Sequence, residues 1–291
     1  MTATQKFTDR QTVSKAIIMR RIVLPISVLL IVGYCLAPVA WQFLTSIKVN
    51  ADISAVPNVY FPKRYTLAHY IELFERRPFL NYIFNSAFVA LTSTALALGL
   101  GAPAAYALAR LRLPGDKLIV TGVLTVTLFP YILLFLGLLE IVRALNLGNN
   151  YLALIIPYTA VNLPLTILVM RSFFQQLPSD LEDAARVDGY SIWQMLVRIL
   201  LPLTVPALIT TGILTFIFAW NEFIFALTFI TRDSMKTIPV AAAQLGGTSV
   251  FEIPYGPIAA ATAVGTFPLV LLVLFFQRKI VQGLTAGAVK G

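Results

Sequence analysis

The chain alternates between long apolar runs and short polar segments. About 20 consecutive apolar residues are enough to cross a bilayer as a helix. Runs of that kind fall at about 22–44, 82–109, 118–142, 151–170, 203–230 and 257–276. They predict an all-α integral membrane protein with six transmembrane helices. The second run is rich in small residues: Ala95, Ala97, Gly99, Gly101, Ala102, Ala104 and Ala105. Small residues let helix backbones approach closely in lipid, so this helix is expected inside a bundle.

One polar segment is more elaborate than a connection needs. Residues 178–202 read P-S-D-L-E-D-A-A-R-V-D-G-Y-S-I-W-Q-M-L-V-R-I-L-L-P. Pro178 ends the preceding helix. Ser179 and Glu182 have the spacing of a capping box, which predicts a short helix over 180–188. Gly189 can take the left-handed conformation that stops it. Ser191 and Gln194 form a second capping box and open a helix running towards Pro202. Leu181, Ala184, Ala185 and Asp188 recur at i, i+3, i+4 and i+7, so they are expected on one face. Two of the four are alanine, and so small a face invites close approach by another protein. A helix pair resting at the lipid headgroups is the plainer reading.

Two other polar segments are longer than hairpins. Within 45–81, Leu67, Tyr70, Ile71 and Phe74 predict a short amphipathic helix. Residues 231–256, with Pro239, Gly246, Gly247 and Pro254, read as a flexible flap.

Composition fixes the solvent. Hydrophobic residues make up 58% of the 291 positions and charged ones 12%, against about 25% charged in soluble domains. The net charge is +9, but the basic residues lie in loops between spans and form no nucleic-acid patch. With both termini on one side, 14 of the 22 Lys and Arg fall in 1–21, 110–117, 171–202 and 277–291. The positive-inside rule then places both termini in the cytoplasm. The run at 22–44 exceeds the 7–15 residues of a signal-peptide core and is read as a retained anchor; a cleaved signal is the alternative. The domain organisation is therefore a cytoplasmic segment 1–21, a six-helix transmembrane domain 22–276 and a cytoplasmic tail 277–291. Cys35, the single cysteine, is expected to pack as a small apolar side chain. His69, the single histidine, is expected at a solvated surface, and a His-rich metal site is excluded.

Glu222 is the acidic residue placed well inside a span. An ionisable group there costs at least about 2.5 kcal/mol and usually faces a cavity or a partner. Trp220 and Asn221 stand beside it, and an aromatic face with polar neighbours can hold a sugar. Glu222 is read three ways: as a tie between helices, as part of a substrate path, or as a gate. Asn162 in the fourth span is a further path candidate, or interhelical glue. No G-x-x-x-x-G-K-[ST], H-E-x-x-H or G-x-S-x-G occurs, so no basis for an enzyme is visible.

The 178–202 segment resembles the "EAA" loop of bacterial ABC-importer permeases, E-A-A-x3-G-x9-I-x-L-P. The matching positions are Asp183, Ala184, Ala185, Gly189, Ile199, Leu201 and Pro202. Asp183 stands where the family usually has Glu, which keeps the charge but shortens the arm. The "F-A-W-N-E-F" in span five, the six-span layout and the tail from Gln277 are similar to the maltose-type carbohydrate permeases, on the MalG-like side. The resemblance implies an ABC type I importer fold in the bacterial inner membrane, with 180–188 as a cytoplasmic coupling helix. It implies that Glu182, Asp183, Ala184, Ala185, Asp188 and Gly189 meet an ATPase subunit. It also implies a second, homologous permease, two ATPase subunits that bind ATP and Mg, and an extracytoplasmic solute-binding protein. No cofactor is then expected in this chain. The solute would be a sugar, oligosaccharide or glycosylated osmolyte, moved by alternating access. A secondary transporter is the first rival, and would show inverted repeats, broken helices and several intramembrane ion ligands. A membrane enzyme or scaffold is the second.

Overall fold

The computed structural model describes residues 19–246 and 253–286. Residues 1–18 of the expected N-terminal segment, 247–252 of the expected flap and 287–291 of the tail lie outside the described residues. Helix α1 is Leu24–Ser46, α2 Asn50–Ile53, α3 Ala68–Arg76 and α4 Phe79–Arg110. They are followed by α5 Asp116–Leu128, α6 Phe135–Ala144, α7 Leu152–Gln176 and α8 Asp180–Val187. Next come α9 Ile192–Met195, α10 Leu201–Leu203, α11 Val205–Asn221, α12 Ile224–Phe229, α13 Ile238–Ala243 and α14 Tyr255–Ala286. Among the described residues four helices are long and apolar enough to span a membrane, or up to six if two bent pairs each count as one.

Those bent pairs correct the expectation of plain spans. The predicted third span breaks between α5 and α6, with an 89° bend. The sequence reason is Pro130, which disfavours helical backbone at the residue before it. Phe129 is extended there, with ψ 129°. The predicted fifth span is also divided. α11 ends at Asn221, Glu222 is extended with ψ 132°, and α12 begins two residues later. At its other end α11 meets the segment Ile192–Leu203 at 80°.

The chain forms two compact units, each with its own contacts. One comprises Met1–Glu72 and Gly247–Ala263. Its first helix, α1, has none of its most apolar window buried. Cys35 is exposed on it rather than packed, since nothing in this unit covers that surface. His69 is likewise not a solvated residue: it is 4% exposed, and its Nε2 lies 2.8 Å from the Lys48 carbonyl. A carbonyl can only accept, so Nε2 carries the proton. Gly256 sits against the same ring, with no room for a Cβ. The amphipathic helix forms as α3, but Leu67, Ile71 and Phe74 of the predicted stripe stay exposed.

The second unit comprises Leu73–Gly246 and Val264–Gly291. Here α4 packs along α7 and α11, and its small residues are the reason. Ala97, Ala102 and Ala105 are buried, and a Cβ built on Gly101 would lie 2.6 Å from Thr166 Cγ2. Pro157 and Pro164 stay inside α7. Its Thr159, Asn162 and Thr166 side chains each donate to the carbonyl four residues back, as apolar surroundings require of polar groups.

The loop after α12 is tied down rather than free. Asn149 Oδ1 accepts from the Thr231 and Arg232 amides at 2.8 and 2.6 Å. Asn85 Nδ2 donates to the Ser234 and Lys236 carbonyls, both at 2.9 Å. The Tyr82 hydroxyl donates to Asp233 Oδ2 at 2.8 Å. Bonds from Lys236 and Tyr82 hold the Asp233 carboxyl below its ordinary range. Residues 233–243 are therefore ordered into a 3-10 turn and α13, which corrects the flap reading for this part.

Candidate functional site

The polar segment folds as an elbow. α8 ends at Val187, Asp188 is its C-cap, and Gly189 follows with φ 78°. The Gly189 amide donates to the Arg186 carbonyl at 3.1 Å, and the Tyr190 amide to that of Ala185 at 3.0 Å. This pair of bonds is a Schellman stop, and it needs a left-handed residue at its centre. Ser191 then caps α9. Gln194 N donates to Ser191 Oγ at 3.3 Å, and Ser191 N donates to Gln194 Oε1 at 3.0 Å, which closes the predicted box. The second arm runs on through a π-turn, Leu196–Leu200, to α10.

The other predicted box does not form. Ser179 is helical, with φ −63° and ψ −30°, and its side chain caps nothing. Glu182 is drawn inward instead and is 5% exposed. Arg110 Nε lies 3.1 Å from Glu182 Oε1, and Arg186 Nη2 lies 3.7 Å from Oε2. The Arg110 contact is ionic rather than a hydrogen bond, because its Nε–H donates to the Phe174 carbonyl at 3.1 Å. Arg110 Nη2 donates to the same carbonyl at 2.7 Å and also to that of Leu177. One guanidinium thus joins the end of α4, the last carbonyls of α7 and the elbow.

The predicted face is also redrawn. Leu181, Ala184, Ala185 and Asp188 do not share one environment. Ala185 is buried with Tyr106, Phe174, Met195 and Leu196, while Ala184 and Asp188 are exposed. Glu182, turned inward by Arg110, rotates α8 so that Leu181, Glu182 and Ala185 face the protein. Asp183, Ala184 and Val187 face out, and Val187 is 88% exposed. Among the described residues Asp183 pairs locally, with Arg186 at 3.2 Å.

Within the spans, a cavity of about 560 Å³ opens beside the break between α5 and α6. Thr125, Thr127, Tyr131, Asn162 and Phe218 line it. Of the four path candidates, Asn162 alone is on its wall. Trp220 is buried and donates from Nε1 to the Gly265 carbonyl at 3.0 Å. Asn221 bonds back to the Ile217 carbonyl. Glu222 Oε1 accepts from the Phe225 amide at 2.9 Å and Oε2 from that of Ala226 at 3.2 Å. The Tyr158 hydroxyl donates to Oε2 at 2.5 Å. The carboxylate thus caps α12 and ties it to α7. Glu222→Ala should orphan two amides and a hydroxyl, each worth about 1–3 kcal/mol when buried. Its unfolding midpoint in detergent should fall well below wild type, with Glu222→Gln between them. An unchanged midpoint with lost transport would instead favour the substrate path.

Residues 82–286 match the family described as "Binding-protein-dependent transport system inner membrane component". The chain belongs to this family. It is 43% identical to the sulfoquinovosyl glycerol transport system permease protein SmoH of Agrobacterium fabrum, over 91% of this chain and 92% of that one. It is 42% identical to the trehalose transport system permease protein SugB of Mycobacterium tuberculosis, over 90% and 95%. It is 39% identical to the trehalose/maltose transport system permease protein MalG of Thermococcus litoralis, over 94% and 98%. A crystal structure of a bacterial ABC transporter that imports the acidic polysaccharide alginate matches with a TM-score of 0.75. It covers 90% of this chain and 97% of that one at 22% identity, which establishes a common fold. The protein is a multi-pass inner-membrane permease subunit of an ABC importer, and ATP hydrolysis in this family belongs to separate subunits.

In this permease the broken helices are thus features of an ABC importer subunit rather than signs of a secondary transporter. Sequence reasoning missed Arg110, Tyr158, Tyr131 and Phe218. A signal was present for Arg110, which ends a 32-residue apolar helix next to nothing that needs a charge in sequence. The tyrosines and Phe218 carry no such mark among the aromatic residues of the spans.

Proposed function

We propose that this permease subunit carries a sugar, oligosaccharide or glycosylated osmolyte, and that the elbow at α8 and α9 docks onto an ATPase subunit. The observation that carries the reading is the elbow itself. Its stop, its second cap and its Arg110 anchor fix one shape, while Asp183, Ala184 and Val187 are presented outward. The three curated relatives named above are permeases for trehalose, trehalose/maltose or sulfoquinovosyl glycerol, which supports a glycosidic solute. A second homologous permease, two ATPases binding ATP and Mg, and a solute-binding protein complete the proposed machine, with both termini in the cytoplasm. Closure of the ATPases would push on α8, and the two states of the spans must differ in their contacts for that push to be coupled.

The test is uptake in a deletion strain complemented with this chain, using radiolabelled trehalose, maltose, sulfoquinovosyl glycerol and an unrelated amino acid. Uptake of one glycoside, with an ATPase subunit co-purifying, is the expected result. Uptake of none, or recovery of the chain without an ATPase, would refute it.

A further inference from the structure

The segment that follows α1 builds a cavity of its own, of about 190 Å³, whose wall includes Trp41, Lys48, Asp52, Asn58 and Tyr255. Lys48 is 2% exposed. An ammonium has three N–H donors, and one of them goes to the Val59 carbonyl at 2.6 Å. The charge rests over the Trp41 ring, 4.0 Å from its centre. Among the described residues no carboxylate pairs with Lys48. A buried cation is stable only when paired or well bonded, so donors left over call for an anion. Asp52 is half-buried on the same wall and offers the opposite charge.

The position of this cavity selects the ligand. Lys48 stands two residues beyond the end of α1, a candidate span whose apolar window is wholly unburied. The end of a helix that spans a bilayer falls at the level of the lipid headgroups. Trp41 and Tyr60, with ring centres 5.9 Å apart, together with Tyr255, are the residue types that gather there. Lipid chains can run along α1 directly beneath.

We propose that this cavity binds a phospholipid headgroup carrying a primary amine, with its phosphate on Lys48 and its ammonium on Asp52. The site is separate from the elbow and does not depend on the solute. The phosphate supplies the missing anion, and the ammonium gives Asp52 N–H donors that a quaternary amine lacks.

The test is native mass spectrometry of the delipidated, assembled transporter titrated with lipids. Phosphatidylethanolamine should be retained about tenfold better than phosphatidylcholine, the worth of one charge-assisted hydrogen bond. Asp52→Asn, at a half-buried position that tolerates an isostere, should bring the two lipids to parity. Lys48→Met should weaken phosphatidylethanolamine, phosphatidylcholine and phosphatidylglycerol alike. Parity in the wild type, or a preference that survives Asp52→Asn, would overturn the assignment. So would equal competition by inorganic phosphate, which marks a free-anion site, or displacement by trehalose, which marks a sugar subsite.

Discussion

Gly189→Pro is expected to abolish uptake while leaving the membrane helices folded. Gly189 has φ 78°, and proline is locked near −65°. The substitution also removes the amide that bonds to the Arg186 carbonyl. The combined cost is about 3 kcal/mol or more. That lowers the population of the native elbow at least about a hundredfold. Nothing lies within 4 Å of a Cβ built at this position, so the effect is conformational and not a clash. Gly189→Ala should therefore fall between wild type and Gly189→Pro, and Gly189→Asn should be milder still, because asparagine tolerates the left-handed region. Uptake and ATPase co-purification check the series. Full uptake by Gly189→Pro would sink the docking role.

Arg110→Met should be the most damaging single change at the base of the elbow. It strips the bonds to the Phe174 and Leu177 carbonyls and leaves Glu182, 5% exposed, without its main counter-charge. Breaking a pair of this kind costs about 3 kcal/mol. Arg110→Lys should recover little, because an ammonium cannot fork between two carbonyls and a carboxylate. The decisive comparison is a double-mutant cycle with Glu182→Leu. The pair replaced together should be less destabilised than the two single changes added, since an apolar pair removes the stranded charge. Strict additivity in thermal unfolding would mean the ion pair does not anchor the elbow. A transporter that keeps ATPase activity but loses uptake would show that Arg110 positions the elbow for coupling.

The elbow and the spans were legible to different depths. Apolar runs located the helical stretches, because in lipid the backbone has no alternative to a helix, but α7 and α14 continue past the predicted ends at 170 and 276 to Gln176 and Ala286. The breaks were harder. Pro130 announces one of them, but a quarter-turn in helix direction cannot be read from hydropathy, which is high on both sides of the bend. The break at Glu222 carries no proline at all. It exists because a carboxylate can satisfy the Phe225 and Ala226 amides, and that depends on Tyr158 arriving from α7. In the elbow, Gly189 and the Ser191–Gln194 box were plain, since both are local devices. Ser179–Glu182 has the same spacing, yet it fails because Arg110, 72 positions away in sequence, takes the glutamate. Local patterns hold where no distant partner competes for the same side chain.

Helix α4 has 32 residues, so it is about 48 Å long, against a hydrocarbon thickness of about 30 Å. Even tilted, it is taller than the oily layer it crosses. Arg110 is its last residue, so the elbow is tied to the very end of a helix longer than that layer is thick. The helix acts as a strut whose length sets where the elbow stands. Shortening that strut by a turn would move the elbow about 5 Å along the helix axis without altering one of its own residues.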